Sequence, residues 1–324
     1  MNLSPEIIDR ISKLEEKFTA TGQNLLSYLD GLLYADYLTY WDYIHLDTLL
    51  SLQNPKTRIP DESIFIMYHQ VTELYFKLCM HEFEQVTTNA DLKLKDLTRC
   101  ITRVNRYFSA LIDSFDIMVD GLDKQQFHQF RMSLLPASGF QSAQYRMLEI
   151  YATDFSNLVA AEDRAKFNFS PKNDQEVAAQ FEHIYWKQGA TELASGKKTL
   201  TLIQFEEKYE ERLLKLAQFC RTKNLLALIE TLPEADRKNQ ELLDGLKMLD
   251  VNINVNWPLS HYKSAVRYLQ ADPEDIAATG GTNWQKYLPP RFQRRIFYPS
   301  LWTEEELTNW GKSWVRSVVF GEKK

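Results

Sequence analysis

The sequence predicts an all-α protein made of a few long helices. It contains only 11 glycines and 11 prolines in 324 residues, which leaves few turns between secondary-structure elements. Apolar residues recur at spacings of three and four over long stretches, whereas the alternating pattern of a half-buried strand is scarce. The composition, 44% apolar and 25% charged, is that of an ordinary globular protein with a large core. We therefore expect one all-α domain over residues 1–324.

The charge and the cysteines argue against several classes of protein. A formal net charge of −6 without an extended basic run disfavours a nucleic-acid partner and a basic membrane anchor. No apolar run approaches membrane-spanning length, and the first residues lack the layout of a signal peptide. Cys79, Cys100 and Cys220 match neither a zinc-site spacing nor a disulfide framework. We expect a cytoplasmic protein without nucleic-acid or membrane partners.

The first helix is predicted from its capping signal. Ser4 precedes Pro5, an order typical of an N-cap followed by the first helical position. Further along, tyrosines cluster between Tyr28 and Tyr43, with Trp41 among them. Such an aromatic segment is unsuited to a solvated linker, so we expect it to pack on this subunit or on a neighbouring one.

The longest predicted helix begins at Asp61 and Glu62, whose charges suit the positive end of a helix dipole. Its apolar residues form two adjoining faces, of which we expect the first to be a buried stripe. The second face is aromatic with one titratable nitrogen, which suits a flat apolar ligand with one polar group. Taken alone, its histidine is more simply a core residue bonded to a carbonyl. The stripe is Ile64, Met67, Val71, Leu74 and Leu78, and the second face is Phe65, His69, Thr72 and Phe76.

A second long helix is predicted from Leu94 to Met118, again with a regular apolar stripe. Three arginines lie off that stripe and are interpreted as a solvated face. After a break at residues 120–121, the loop 135–142 lies between two helical patterns and contains a Pro-Ala-Ser-Gly string. Its free backbone N–H groups and hydroxyl make it a suitable place to hold an anion.

The second half of the chain continues the helical pattern. Amphipathic stretches lie around residues 177–186 and 200–229. A helix that begins at Glu234 should end or kink before Pro258, because proline lacks the N–H group that a helix interior uses. Residues 261–269 are helical in pattern again, a glycine loop follows, and a final helix closes the chain.

The histidines are the clearest candidates for chemistry. None forms a His-x-x-x-His or Glu-x-x-His pair, so a metal cage made of protein ligands alone is disfavoured. The glycine motifs of nucleotide-binding proteins and the nucleophile elbow of serine hydrolases do not occur. Isolated histidines on aromatic-rich helices are compatible with a haem held by one imidazole, with another imidazole on its open face. The six histidines are His45, His69, His81, His128, His183 and His261.

Four separated segments resemble the tryptophan 2,3-dioxygenase family. The most specific is the string Pro-Ala-Ser-Gly-Phe-Gln-Ser, which occurs in order with Phe-Ile-x-x-His-Gln and Thr-Gly-Gly-Thr. The resemblance is clear over residues 40–149 and 261–302 and faint over 152–255. The four segments are residues 40–47, 61–77, 127–142 and 279–282.

The resemblance implies a single helical domain of long helices around a haem pocket, assembled as a homotetramer, with a dimer as the alternative. Such an enzyme carries haem b, with Fe²⁺ in the active state. It inserts both atoms of O2 across the C2–C3 bond of the indole ring of L-tryptophan. The product is N-formylkynurenine, so the enzyme would belong to tryptophan catabolism by the kynurenine pathway.

The resemblance also implies roles for residues on both sides of the haem. His261 would be the axial ligand of the iron, with Ser138 and Tyr145 near the cofactor. His69 would be the catalytic residue of the distal side, where it would hydrogen-bond the indole N–H. Arg131 would clamp the substrate carboxylate, which its planar fork fits bidentately. The other implied substrate-binding residues are Phe65, Ile66, Met67, Tyr68, Phe127, Thr279 and, from a neighbouring subunit, Tyr40 and Tyr43.

Two alternatives stay open at the level of the sequence. A related haem oxygenase could add one oxygen atom to a substituted indole or to another aromatic amino acid. A non-catalytic helical protein, with or without haem, would carry the same periodicities. The mass of the product separates the first alternative, because dioxygenation adds two oxygen atoms. The absorbance of the purified protein separates the second.

Overall fold

The computed structural model describes residues 3–135, 139–167, 169–190, 197–270, 290 and 294–312. These residues are mostly helical, as the sequence predicts. An isolated antiparallel bridge joins Val159 and Ile184. Within the same residues, no helix combines the length and the apolar character needed to cross a membrane.

The chain divides into two compact units, Met1–Asn54 and Pro55–Lys324. The expectation of one domain over residues 1–324 stays a prediction. The first helix of unit 1 begins as predicted, with Pro5 at its first turn and the Ser4 hydroxyl accepting from the N–H of Ile7. The helices of unit 1 are α1 (Pro5–Ala20), α2 (Leu25–Leu33), α3 (Tyr40–Tyr43) and α4 (Leu46–Leu49).

Unit 1 buries none of its described side chains. Large apolar residues such as Leu33, Tyr34 and Tyr37 are almost wholly exposed. A small helical unit without a core of its own is stable only when it packs on something else. The expectation that the aromatic segment packs on this subunit or on a neighbouring one stays a prediction.

Unit 2 contains the long helices that carry the candidate site. Short 3₁₀ turns, at Arg131–Leu134, Gly139–Gln141, Phe155–Leu158 and Pro299–Leu301, join several of them. The helices of its described residues are α5 (Pro60–Thr88), α6 (Leu94–Ser114), α7 (Asp116–Val119), α8 (Lys124–Phe130), α9 (Ala143–Ala152), α10 (Asp174–Phe181), α11 (Tyr185–Gly189), α12 (Leu200–Cys220), α13 (Leu225–Glu230), α14 (Glu234–Arg237), α15 (Gln240–Val251), α16 (Trp257–Leu269) and α17 (Glu304–Thr308).

The structure confirms the apolar stripe of α6 and contradicts the one predicted for α5. Leu97, Ile101, Val104, Phe108 and Leu111 of α6 are all buried. Four of the five residues in the stripe predicted for α5 have side chains that are 43–47% exposed. The neighbouring face of the helix is buried. Because α5 has two apolar faces, periodicity alone could not decide which one would pack on α6. The exposed residues are Met67, Val71, Leu74 and Leu78, and the buried ones include Tyr68, Thr72, Phe76, Cys79 and Phe83.

The predicted helix from Glu234 is broken in two. α14 is a single turn, and α15 starts at Gln240, where the side chain of Asn239 caps it by accepting from the N–H of Leu242. Gly245 of α15 lets this helix approach α6 closely, because a Cβ at this position would lie 3.0 Å from the Ile101 side chain. The expected irregularity before Pro258 is present as a π turn, Asn252–Asn256, after which α16 continues to Leu269.

Asp250, at the end of α15, anchors the segment that follows residue 294. Its carboxylate is fully buried and accepts from the backbone N–H groups of Phe297 at 2.9 Å and Tyr298 at 3.2 Å. It also accepts from the indole N–H of Trp302 at 3.0 Å and from Nδ2 of Asn254 at 2.8 Å. Four donors on one buried carboxylate tie three parts of the chain together.

We expect Asp250→Asn to lower the free energy of unfolding by about 3 kcal/mol. The amide keeps the shape of the side chain but turns its own NH2 group toward donors, which leaves buried N–H groups without an acceptor. Urea unfolding followed by circular dichroism measures this loss. Asp244→Asn, at an exposed position of the same helix, is the matched control. Equal unfolding midpoints for the two variants would contradict the anchoring role.

Candidate active site

His69 lies on α5, with its ring held by the preceding turn of its own helix. Nδ1 is 2.7 Å from the carbonyl oxygen of Phe65. Because a carbonyl oxygen only accepts hydrogen bonds, Nδ1 carries the proton and Nε2 carries the lone pair. His69 therefore presents an acceptor to whatever lies beyond its ring edge.

His261 on α16 repeats the same arrangement. Its Nδ1 is 3.0 Å from the carbonyl oxygen of Trp257, one turn earlier. The same reasoning assigns the proton to Nδ1 and the lone pair to Nε2. A neutral imidazole with a lone pair on Nε2 is the form that binds a metal ion.

The two imidazoles lie close enough to interact electrostatically. Burial is the main cause that lowers the pKa of His261, to about 4, and the nearby His69 lowers it further. Burial also lowers the pKa of His69, although its side chain is exposed to solvent. Both imidazoles are therefore neutral at pH 7.

Aromatic rings connect the two histidines. The ring of His261 lies 4.5 Å from the centroids of both Phe115 and Trp257. Phe115 in turn meets Tyr68 at 5.8 Å, and Tyr68 meets His69 at 6.3 Å. The His261 side of the site is thus walled by residues from the end of α6 and from α16 itself.

A second aromatic row, on α5, α8 and α16, forms the other wall. Phe65 stacks 4.0 Å from His69 and meets Phe130 at 5.7 Å. Phe130 meets Phe127 at 5.6 Å, and Phe127 meets Tyr268 at 4.7 Å. α8 therefore bridges the helix of His69 and the helix of His261.

Arg131 is a buried cation at the end of this second wall. It directly follows Phe130, and its backbone N–H caps α8 by bonding to the carbonyl of Phe127. Its side chain is only 5% exposed. Burial lowers the pKa of the guanidinium, yet an arginine in a protein stays charged at neutral pH. The chain thus places a buried positive charge directly after a residue of the second aromatic wall.

The remaining predicted residues of α5 do not all join this group. The hydroxyl of Tyr68 contacts the carbonyl of Leu111 at 3.3 Å and the hydroxyl of Ser114 at 3.2 Å, which directs it into the interior. Met67 lies on the exposed face of the helix, and Ile66 is half-buried.

The other predicted residues are dispersed. Tyr40 and Tyr43 belong to unit 1 and are 71% and 72% exposed. The hydroxyl of Tyr145 is buried and donates to the carbonyl of Ile253. Ser138 and Thr279 lie outside the described residues.

Sequence reasoning predicted Phe65 beside His69 but missed other aromatic residues that support the histidines. Trp257 stands four residues before His261, so the helical spacing was a visible signal. Phe115 and Phe130 are far from either histidine in the chain, and only the packing of helices brings their rings into the site.

The geometry fits a haem. A porphyrin needs an apolar, aromatic lining and a neutral imidazole with a lone pair on Nε2, and His261, packed on Phe115 and Trp257, would supply that imidazole. The Nδ1–carbonyl hydrogen bond of His261 fixes the tautomer and the ring orientation, as in other metal-binding histidines.

Comparison with known proteins assigns the chain to a family. A model of the family described as tryptophan 2,3-dioxygenase matches residues 30–240, a range that includes His69 and Arg131 and ends before His261. A tryptophan 2,3-dioxygenase from a Ruegeria species is 37% identical over 117 residues, which cover 36% of this chain and 42% of that protein. One from Bacillus cereus is 41% identical over 113 residues, 35% of this chain and 40% of that protein. The chain thus spans less than half of the length of these relatives, but the family model covers well over half of the chain. This protein belongs to the tryptophan 2,3-dioxygenase family.

Proposed function

We propose that this protein is a haem-dependent dioxygenase that inserts both atoms of O2 across the indole C2–C3 bond of L-tryptophan and forms N-formylkynurenine. One observation carries the proposal: His69 and His261, each with Nδ1 on a backbone carbonyl one turn earlier, are linked by ring contacts through Tyr68 and Phe115. The alternative of a helical scaffold without chemistry gives no reason for one row of aromatic rings to link two histidines.

His261 would hold haem b through Nε2, with Ser138 close to the cofactor. When bound, ferrous haem supplies the centre at which O2 is activated. The neutral state of His261 supports this role, because a protonated imidazole has no lone pair for iron. Phe115 and Trp257 would pack against the imidazole and keep water from the ligand.

His69 would orient the substrate rather than exchange protons with it. Its Nε2 is an acceptor, which is the partner that the indole N–H requires. Phe65 stacks on the same imidazole and would pack against the indole ring, with Phe127 farther along the wall. Holding a flat ring in one orientation is a contribution of positioning, which does not need a titrating base.

Arg131 would bind the carboxylate of the amino-acid substrate. Its charge is buried beside the aromatic wall, where an ionic hydrogen bond is stronger than in water. Thr279 would contact the ammonium or carboxylate group from its glycine loop. Together these groups would fix the head of L-tryptophan while His69 fixes its ring.

A second copy of the chain would complete the site. Tyr40 and Tyr43, exposed in unit 1, would reach the pocket of a neighbouring subunit in a homotetramer. The exposed α5 residues Met67, Val71 and Leu74 also need cover, which an assembly of several copies would supply. The cytoplasmic location expected from the cysteine pattern stays a prediction.

The product of a single incubation tests the proposal. Protein reconstituted with haem, reduced and supplied with L-tryptophan and isotopically labelled O2, should yield a product heavier by two labelled oxygen atoms. L-tryptophan should also perturb the Soret band of the ferrous protein. A product with one labelled oxygen would instead identify a monooxygenase. The absence of both turnover and a spectral change would identify a non-catalytic protein.

A further inference from the structure

The helix that carries His261 contains one wide turn. α15 ends at Val251, the π turn spans Asn252–Asn256, and α16 resumes at Trp257. The backbone N–H of Trp257 bonds to the carbonyl of Asn252, five residues earlier, where an α-helix would use four. Such turns are rare in proteins, and those that occur often lie at functional sites.

Pro258 removes the backbone donor that this turn would use next. In the five-residue pattern, the N–H of residue 258 would bond to the carbonyl of Ile253, but proline has no N–H. The hydroxyl of Tyr145, on α9, donates to that carbonyl instead at 2.8 Å. Burial raises the pKa of Tyr145, so the hydroxyl keeps the proton that it donates. A side chain from another helix thus replaces the missing backbone hydrogen bond.

Asparagine side chains hold the other side of the turn. Nδ2 of Asn252 donates to Oδ1 of Asn105 on α6 at 3.1 Å, and Nδ2 of Asn256 donates to Oδ1 of Asn252 at 3.0 Å. Asn105 also donates to the carbonyl of Gly245 on α15, at 2.9 Å. Asparagine is a poor helix former because it competes for backbone groups, and here its amides tie the irregular turn to α6.

The π turn changes the direction in which His261 points. One extra residue in a turn rotates everything after it by about 100° relative to an unbroken α-helix. His261 therefore takes the angular position that residue 260 would otherwise have. That position continues the buried face of α15, which packs on α6, and the imidazole does meet Phe115 at the end of α6. The residues of that face are Leu242, Leu246, Leu249 and Ile253.

We infer that the π turn aims the imidazole of His261 at Phe115, in the row of rings that leads to His69, and that Tyr145 is the positioning residue that holds the turn. This inference rests on the proposed role of His261 as the haem ligand. The family resemblance implied that Tyr145 lies near the cofactor. We assign it this positioning role instead, because its hydroxyl donates a hydrogen bond to the carbonyl of Ile253.

Tyr145→Phe tests the inference in the full chain, with Tyr151→Phe as the matched control. Tyr151 lies on the same helix and is also 6% exposed, but its hydroxyl bonds to no other described residue. In the haem-free protein, Tyr145→Phe should speed amide hydrogen exchange of residues 257–262 about tenfold. In the haem-loaded protein, it should speed haem transfer to an external acceptor about tenfold and shift the iron–histidine stretching band in resonance Raman spectra. Tyr151→Phe should change none of these.

A second variant makes the test specific to the missing hydrogen bond. Pro258→Ala supplies a backbone N–H that can donate to the carbonyl of Ile253. Tyr145→Phe should therefore have a clearly smaller effect on hydrogen exchange in the Pro258→Ala background than in the wild type. An equal effect in both backgrounds, or unchanged exchange in Tyr145→Phe itself, overturns the assignment of the turn.

The outcomes for Tyr145 and for the proposed function are separable. Faster exchange with an unchanged haem transfer rate and an unchanged Raman band would overturn the claim that the turn aims His261. Retention of haem by His261→Ala would overturn the proposed function, and it would leave the exchange results for the haem-free protein intact.

Discussion

His261→Ala, expressed with ample haem, should purify without a Soret band, and its affinity for added haem should fall by more than about 100-fold. The variant loses the one side chain to which the proposed function assigns the iron. The imidazole is held by the carbonyl of Trp257 and packed against Phe115, and no other histidine is proposed for that side. Absorbance during a titration with haem measures the affinity.

Two controls separate ligand loss from general damage. His81→Ala removes an exposed histidine from α5 and should keep full haem content. His261→Gly leaves a space for a small molecule, so added imidazole should restore the Soret band. A His261→Ala protein with an unchanged spectrum would refute the ligand assignment, and with it the proposed reaction.

Arg131→Ala should raise the KM for L-tryptophan by about 100-fold or more while the haem content stays that of the wild type. The substrate carboxylate would lose its only proposed cationic partner, in a buried place where water replaces that partner poorly. Arg131→Lys should recover only part of the loss, because an ammonium group is a point charge without a planar fork. Steady-state kinetics and a tryptophan titration of the Soret band measure both variants.

A substrate without the carboxylate makes this test sharper. Tryptamine, which keeps the indole and the amine, should bind wild type and Arg131→Ala with similar affinity if Arg131 acts only on the carboxylate. Arg106→Ala, at an exposed position of α6, is the matched control and should leave both affinities unchanged. A tryptophan KM that Arg131→Ala does not alter would argue strongly against the clamp.

The sequence by itself determined the helical class, the capped start of α1 and the buried stripe of α6. These features depend on residues close together in the chain, since one helix face or one cap is read from neighbours three or four positions apart. The carbonyl contact of His69 belongs to the same group, because its partner lies one turn earlier, and the structure shows the same contact at His261. The resemblance to a known family added the prediction that His69 and His261 serve the same haem. Helical periodicity alone left that arrangement as one possibility.

Only the tertiary structure decided which of the two apolar faces of α5 is buried, because both faces have helical spacing and the choice depends on what α6 presents. It also decided how the helix passes Pro258. The proline predicts an irregularity, but the donor that makes a π turn stable there is Tyr145, more than one hundred positions away in the chain. Contacts between distant residues satisfy buried polar groups and turn side chains toward a site, and no local pattern in the sequence encodes them.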